Sequence, residues 1–231
     1  HTLLASGVDT CFSNPGTSEM HFVAALDRIP GMRCVLGLFE GVVTGAADGY
    51  ARIAGKPAAT LLHCGPGLAN GLANLHNGRR ASTMMVNCVG DQATYHRPLD
   101  APLTADTEGF ARGVSGWART AMRAEDVGRD AAVAAQMAQV SPGMISTLIL
   151  PSDTCWNPGG VVGAKLPVPP APMATPHAVK VAAQLLRDGK KTVLVLGGNA
   201  LRADTLAETA RICAATGATM MSQGSNGRIE R

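Results

Sequence analysis

Three short segments hold residues whose types and spacing could do chemistry. Glu40 follows the apolar run Val35-Leu36-Gly37-Leu38-Phe39 and opens a stretch rich in small residues: Gly41, Gly45, Ala46, Ala47 and Gly49. A carboxylate there either favours a helix N-terminus through the dipole or serves as a functional acid. The small neighbours would let another backbone or a flat ligand lie close. His63 stands directly before Cys64-Gly65-Pro66-Gly67-Leu68-Ala69-Asn70. A lone histidine is more often structural, but an imidazole at a strand end can move a proton near neutral pH. The third segment, Asn14-Pro15-Gly16-Thr17, reads as a turn and would present the Thr17 hydroxyl.

The elements that must position these residues follow from periodicity and breakers. Strands are predicted at Val8 to Phe12, Arg33 to Leu36, Ala58 to His63, Met84 to Val89 and Met144 to Leu150. Between them lie a helix capped by Ser18, a helix from Glu40 to the breaker Gly55-Lys56-Pro57, and a helix over Leu68 to Gly78. An Ala-rich helix runs from Ala124 to Val140. Cys64 to Gly67 reads as a tight strand-to-helix turn, and Asp91 as a turn or cap residue. This alternation predicts an α/β fold, a parallel sheet with helices on both faces. Ligands of such sheets bind beyond the carboxyl ends of the strands, where Thr17, Glu40, His63 and Gly90 all fall.

Seven of the fourteen prolines lie between Pro151 and Pro176, so an extended linker is expected at residues 161–176. It separates a first domain, 1–160, from the start of a second, Rossmann-like α/β domain at 177–231. That second stretch is too short to cover its own sheet, and an N-terminus without Met fits a fragment.

Composition excludes several functions. Apolar residues make up 46% and charged ones 16% of the 231 residues, too apolar for disorder. At 3% aromatic and a net charge of +3, no nucleic-acid surface is expected. No apolar run is long enough to span a membrane. The six cysteines are scattered without a C-x-x-C pair, which fits a reducing, cytoplasmic compartment and no zinc site. His21, His76, His96 and His177 share no ligand spacing, so no metal site is read. Ser6, Ser13 and Ser18 lack a nucleophile elbow. Gly197-Gly198-Asn199 lacks the dinucleotide fingerprint, leaving a flavin (FAD) without support.

Taken together, Gly7-Val8 through Phe12-Ser13-Asn14-Pro15-Gly16-Thr17, Glu40 with Ala46-Ala47-Asp48-Gly49-Tyr50-Ala51-Arg52, and Gly65-Pro66-Gly67-Leu68-Ala69-Asn70 resemble the N-terminal pyrimidine-binding domain of thiamine-diphosphate enzymes of the acetolactate synthase and benzoylformate decarboxylase superfamily. The resemblance covers residues 1 to about 160, and 176 to 231 resemble the opening of the family's central domain. It implies thiamine diphosphate as cofactor, with Glu40 hydrogen-bonded to N1′ of the aminopyrimidine. It also implies a 2-oxo acid substrate that loses carbon dioxide while the thiazolium takes up the electrons. A buried Glu40 would suit this role.

His63 and Thr17 are implied to face the substrate. Pro15, Gly16, Gly65, Pro66, Gly67 and Asn70 are implied to line the cofactor. A His at position 63 matches the benzoylformate decarboxylase pattern, with Thr17 in place of its Ser, while Gly65-Pro66-Gly67 is kept as in acetolactate synthases, so decarboxylation and carboligation are both implied. The family holds Mg2+ and the diphosphate through a G-D-G motif on a C-terminal domain. That motif is not in this sequence, so half a site is expected here, completed in a homodimer or homotetramer. A non-catalytic binding module that kept the fold is the alternative.

Overall fold

The computed structural model describes residues 1–224 and 226–230. The chain divides into two compact units, His1–Pro169 and Pro170–Arg231.

In the first unit, α1 (Thr2–Ala5) leads to β1 (Thr10–Asn14), α2 (Met20–Arg28), β2 (Arg33–Leu36), α3 (Glu40–Ala54) and β3 (Ala58–Leu62). Then come α4 (Cys64–Arg80), β4 (Met85–Asp91), α5 (Thr107–Val114), β5 (Trp117–Thr120), α6 (Ala124–Gln139), β6 (Ile145–Pro151) and α7 (Ser152–Trp156). The six strands form one sheet in the order β2-β1-β3-β4-β6-β5, and every pairing is parallel. The predicted α/β fold is thus observed.

β3, β4 and β6 are buried along their whole lengths, and their side chains alternate between two cores. Ala59, Leu61, Val86, Cys88, Leu148 and Leu150 join Leu3, Val8 and the alanines of α6 on one face. Ala58, Leu62, Met85, Val89, Ile145 and Ile149 meet Val43, Ala47, Leu68 and Leu75 of α3 and α4 on the other. Burial on both faces explains the near-continuous apolar runs of these strands. Each large side chain so buried contributes about 1.5–3 kcal/mol.

The small residues of α3 serve contact with α4. A Cβ on Gly71 would lie 2.8 Å from Thr44 Cγ2, and one on Gly45 2.9 Å from Asn74 Nδ2. Asn74 Nδ2 donates to the Gly41 carbonyl at 2.6 Å, and Thr44 Oγ1 to the Gly71 carbonyl at 3.2 Å. Asp48 anchors the far end of α3, accepting from Arg52 at 2.8 and 2.6 Å and from Thr83 Oγ1 at 2.6 Å. Gly55, at φ +67°, ends the helix in the left-handed conformation.

Three local expectations are corrected. Cys64 to Gly67 is no loop: α4 begins at Cys64, and the sharp turn is made by Cys64 itself at φ +54°, an uncommon conformation for a residue with a side chain. Gly90 and Asp91 continue β4, paired with Leu150 and Pro151. Burial of Asp91 is compensated by the Gln92 N–H at 2.8 Å and by Arg97 at 3.2 Å, so it is no surface turn residue. The Pro-rich stretch is also packed in its first half. Gln136 donates to the Pro167 carbonyl at 2.6 Å and Gly163 N–H to Thr2 Oγ1 at 2.9 Å, which carries the first unit to Pro169.

The second unit holds α8 (Pro176–Leu186), β7 (Val193–Leu196), α9 (Ala203–Thr216) and β8 (Thr219–Ser222), with β7 and β8 paired in parallel. Thr175 caps α8 by accepting from Ala178 N–H at 3.2 Å. Gly198–Leu201 is a short 3-10 turn after β7.

Candidate active site

From β1 the chain crosses to β2 on one side, while β3 pairs with β1 on the other. The strand order therefore reverses between β1 and β3, and crevices open at the carboxyl ends of such strands. β1 ends in Asn14 and runs into Pro15, Gly16 and a 3-10 turn at Thr17–Glu19. β3 ends at Leu62 and is followed by His63, the N-cap of α4. The sheet topology thus brings two of the three chemistry-bearing segments together.

What meets there is a carboxylate–imidazole pair. Glu19 Oε2 accepts from His63 Nδ1 at 2.8 Å and from the Gly16 N–H at 2.7 Å. Glu19 is 3% exposed, and its Oε1 has no hydrogen-bond partner. Two glycines make room for the pair. A Cβ on Gly16 would lie 2.3 Å from His63 Nδ1, and one on Gly90 would lie 1.5 Å from Glu19 Oε1. Because a carboxylate only accepts, Nδ1 carries the hydrogen in this pair, and Nε2 of the half-buried ring is the nitrogen left for other partners.

Ser18 Oγ lies 3.3 Å from His63 Nδ1 and 3.1 Å from Cys64 Sγ. Ser18 makes no side-chain cap; its hydroxyl belongs to this cluster. Burial pushes the Cys64 thiol up to about 11, opposed by the Ser18 hydrogen bond, so the sulfur stays protonated near neutral pH. Donor atoms of Glu19, His63 and Cys64 lie within 4.8 Å of one another, a convergence that the histidine spacing did not reveal. The carboxylate and imidazole engage each other and the thiol keeps its proton. Ligation of an ion there would require the thiol to give up that proton.

Glu40 is the first residue of α3, half-buried rather than buried, after Phe39 in extended conformation. Its Oε2 accepts from Asn70 Nδ2 on α4 at 3.0 Å. Gly67, one turn into α4, lies between Glu40 and His63. A Cβ there would be 3.2 Å from Glu40 Oε1 and 3.5 Å from His63 Cβ. Glu40, Gly67, Asn70, Gly16 and His63 therefore share one neighbourhood.

The other expected residues are placed less centrally. Thr17 is exposed, and the hydroxyl against the imidazole is that of Ser18. Gly65 packs on the segment after β4, where an added Cβ would meet Ala105 Cβ at 2.4 Å. Pro66 is exposed and Pro15 half-buried. Sequence reasoning missed Glu19, although Gly16 followed three residues later by Glu19 is the spacing of an acid that reaches back to an N-cap N–H. Nothing in the sequence marked Gly90 as the residue that leaves space for it.

Residues 1–112 match the family model described as thiamine pyrophosphate enzyme, N-terminal TPP binding domain. A Mycobacterium tuberculosis protein, IlvX, named for the acetolactate synthase large subunit, is 57% identical over 94% of this chain and 42% of its own length. The benzoylformate decarboxylase of Pseudomonas aeruginosa is 32% identical over 83% of this chain and 37% of its own. The chain thus spans about two fifths of the curated relatives it matches.

A solved thiamine diphosphate-dependent 4-hydroxybenzoylformate decarboxylase from Rhodococcus jostii superposes with a TM-score of 0.83 at 23% identity. It covers 97% of this chain and 43% of that one, and shows the common fold. By this match and these relatives, residues 1–112 belong to the N-terminal TPP-binding domain family of thiamine pyrophosphate enzymes.

Proposed function

We propose that this chain supplies the aminopyrimidine-binding part of a thiamine diphosphate-dependent enzyme that decarboxylates a 2-oxo acid or joins the product to a second carbonyl. The observation that carries the reading is the placement of Glu40. Its carboxylate stands at a helix N-terminus, held by Asn70, with the bare backbone of Gly67 beside Oε1. A flat heteroaromatic ring with a nitrogen to share a proton fits such a cradle. When bound, the cofactor supplies an electron sink for loss of carbon dioxide.

The chain's own residues have separate tasks. Glu40 holds a proton against the ring nitrogen, and Asn70 orients the carboxylate. His63, with Nδ1 committed to Glu19, offers Nε2 to the substrate as proton donor or acceptor. Glu19 acts through His63 as a positioning residue. Thr17, on the exposed rim, would bind the polar end of the substrate.

Mg2+ and the diphosphate would be held by residues outside this sequence. In support, the donor atoms that converge here include a thiol and an imidazole, unlike the oxygen set Mg2+ prefers. A second subunit would cover the Glu40 edge, supported by the exposed side chains of Leu36, Leu38 (92%), Phe39 and Val42 around it. No helix among the described residues is long and apolar enough to cross a membrane. Six free thiols support a reducing, cytoplasmic setting.

The test is carbon dioxide release from a panel of 2-oxo acids by the full polypeptide carrying this sequence, with thiamine diphosphate and Mg2+. Wild type should turn over one class of acid, and Glu40→Gln should lose at least a hundred-fold of that rate. No turnover together with no cofactor-induced thermal shift would replace this reading with a non-catalytic module.

A further inference from the structure

The sheet places two cysteines side by side at its edge. Cys11 of β1 and Cys34 of the edge strand β2 are register partners in a parallel pair. Paired residues of neighbouring parallel strands point to the same face, and their backbones lie about 4.8 Å apart. A disulfide needs Cα atoms about 4.4–6.8 Å apart with Cβ vectors that converge. The Cys34 thiol does lie on the face shared by Cys11 and Ser13, because its Sγ is 3.2 Å from Ser13 Oγ. The two differ in access: Cys34 is exposed and Cys11 is fully buried.

We propose that Cys34 and Cys11 form a reversible oxidation site, in which a peroxide oxidises Cys34 and Cys11 then closes a disulfide between β2 and β1. In the first step the Cys34 thiolate attacks one peroxide oxygen. The O–O bond breaks, a sulfenic acid forms and hydroxide leaves. In the second step the Cys11 sulfur attacks the sulfenic sulfur. The S–S bond forms, the S–O bond breaks, and the oxygen leaves as water with the Cys11 proton. Two sulfurs have given up two electrons, and one peroxide is reduced to hydroxide and water.

The surroundings favour this division of labour. A hydrogen bond from Cys11, opposed by desolvation and aided by Ser13, lowers the Cys34 thiol to about 6. The same contact and burial push Cys11 well up. Burial raises Cys64 to about 11 and Cys88 to about 12, so those thiols stay protonated and protected. An exposed thiolate beside a resolving thiol is the arrangement that reacts with peroxide and escapes overoxidation. Cross-linking would fasten the edge strand to β1 just ahead of the segment that leads to Glu40.

The experiment treats the full chain with a slight excess of hydrogen peroxide, blocks remaining thiols and maps peptides without reduction. The expected product is a Cys11–Cys34 linked peptide pair that dithiothreitol releases. Cys34→Ser should give no link, and Cys11→Ala should leave a Cys34 sulfenic acid that dimedone captures. Iodoacetamide at neutral pH should label Cys34 roughly ten-fold faster than an ordinary exposed thiol, and Cys11→Ala should slow that labelling. If Cys11→Ala does not fold, the wild-type map decides alone. The proposal is overturned if wild-type Cys34 stops at sulfenic or sulfinic acid, pairs between chains, or labels no faster than Cys213. None of these readouts depends on the proposed enzyme activity.

Discussion

Gly90→Ala should damage the site only because Glu19 is there. The added Cβ would lie 1.5 Å from Glu19 Oε1 and 2.5 Å from its Cδ, so the buried carboxylate must leave its position. It would then give up the Gly16 N–H and His63 Nδ1, now at 2.7 and 2.8 Å. Hydrogen bonds to a charged group contribute about 1.5–3 kcal/mol each, and buried partners left unmade add to the loss. Allowing for partial relaxation, Gly90→Ala should cost about 3–5 kcal/mol. In a Glu19→Ala background the obstruction is gone, and the same change should cost under about 1 kcal/mol.

The coupling between the two substitutions should therefore be about 3 kcal/mol, which corresponds to roughly 6–12 °C in melting temperature for a unit of this size. Urea unfolding followed by tryptophan fluorescence measures it for the first unit alone, because both tryptophans, Trp117 and Trp156, lie there. Costs that add within about 0.5 kcal/mol would show that the carboxylate is not packed against Gly90, and the site geometry would be wrong.

Other outcomes follow from the same structure. Asp48→Asn weakens the bonds to Arg52 and Thr83 and should destabilise the first unit by about 1–3 kcal/mol, read as a lower urea midpoint. An unchanged midpoint would mean that α3 is anchored elsewhere. Burial raises the Asp91 carboxyl above its ordinary value, against the opposing Gln92 N–H and Arg97. A carboxyl raised in the folded state contributes stability below its unfolded pKa and loses it as pH climbs through the folded one. Relative to Asp91→Asn, wild type should therefore lose stability as pH rises through that window, and a flat difference would refute the assignment. Asn70→Ala should weaken thiamine diphosphate binding in the full polypeptide by roughly ten-fold, the equivalent of about 1.4 kcal/mol, measured by titration calorimetry. Unchanged affinity would remove Asn70 from the cradle.

Period and punctuation determined much of this protein from the sequence alone. The mostly apolar stretches Ala58 to His63, Met84 to Val89 and Met144 to Leu150 read as strands covered on both faces, and the intervening helical patterns supply that cover. The three glycine-marked segments were legible too, and with them Glu40, His63 and Asn70. Local pattern could not show that β3 pairs back onto β1, and that pairing sets His63 against Glu19. Nor could it show that Ser18 rather than Thr17 faces the imidazole, since successive residues of one turn point in different directions. Gly90 falls just beyond the expected strand end, yet it sits in a buried strand, where a carboxylate from another segment occupies the space of its missing side chain. Cys11 and Cys34, twenty-three residues apart in sequence, become neighbours only through strand register. A chain specifies its elements through local propensity, but which side chains share a proton is decided by contacts between residues far apart in sequence.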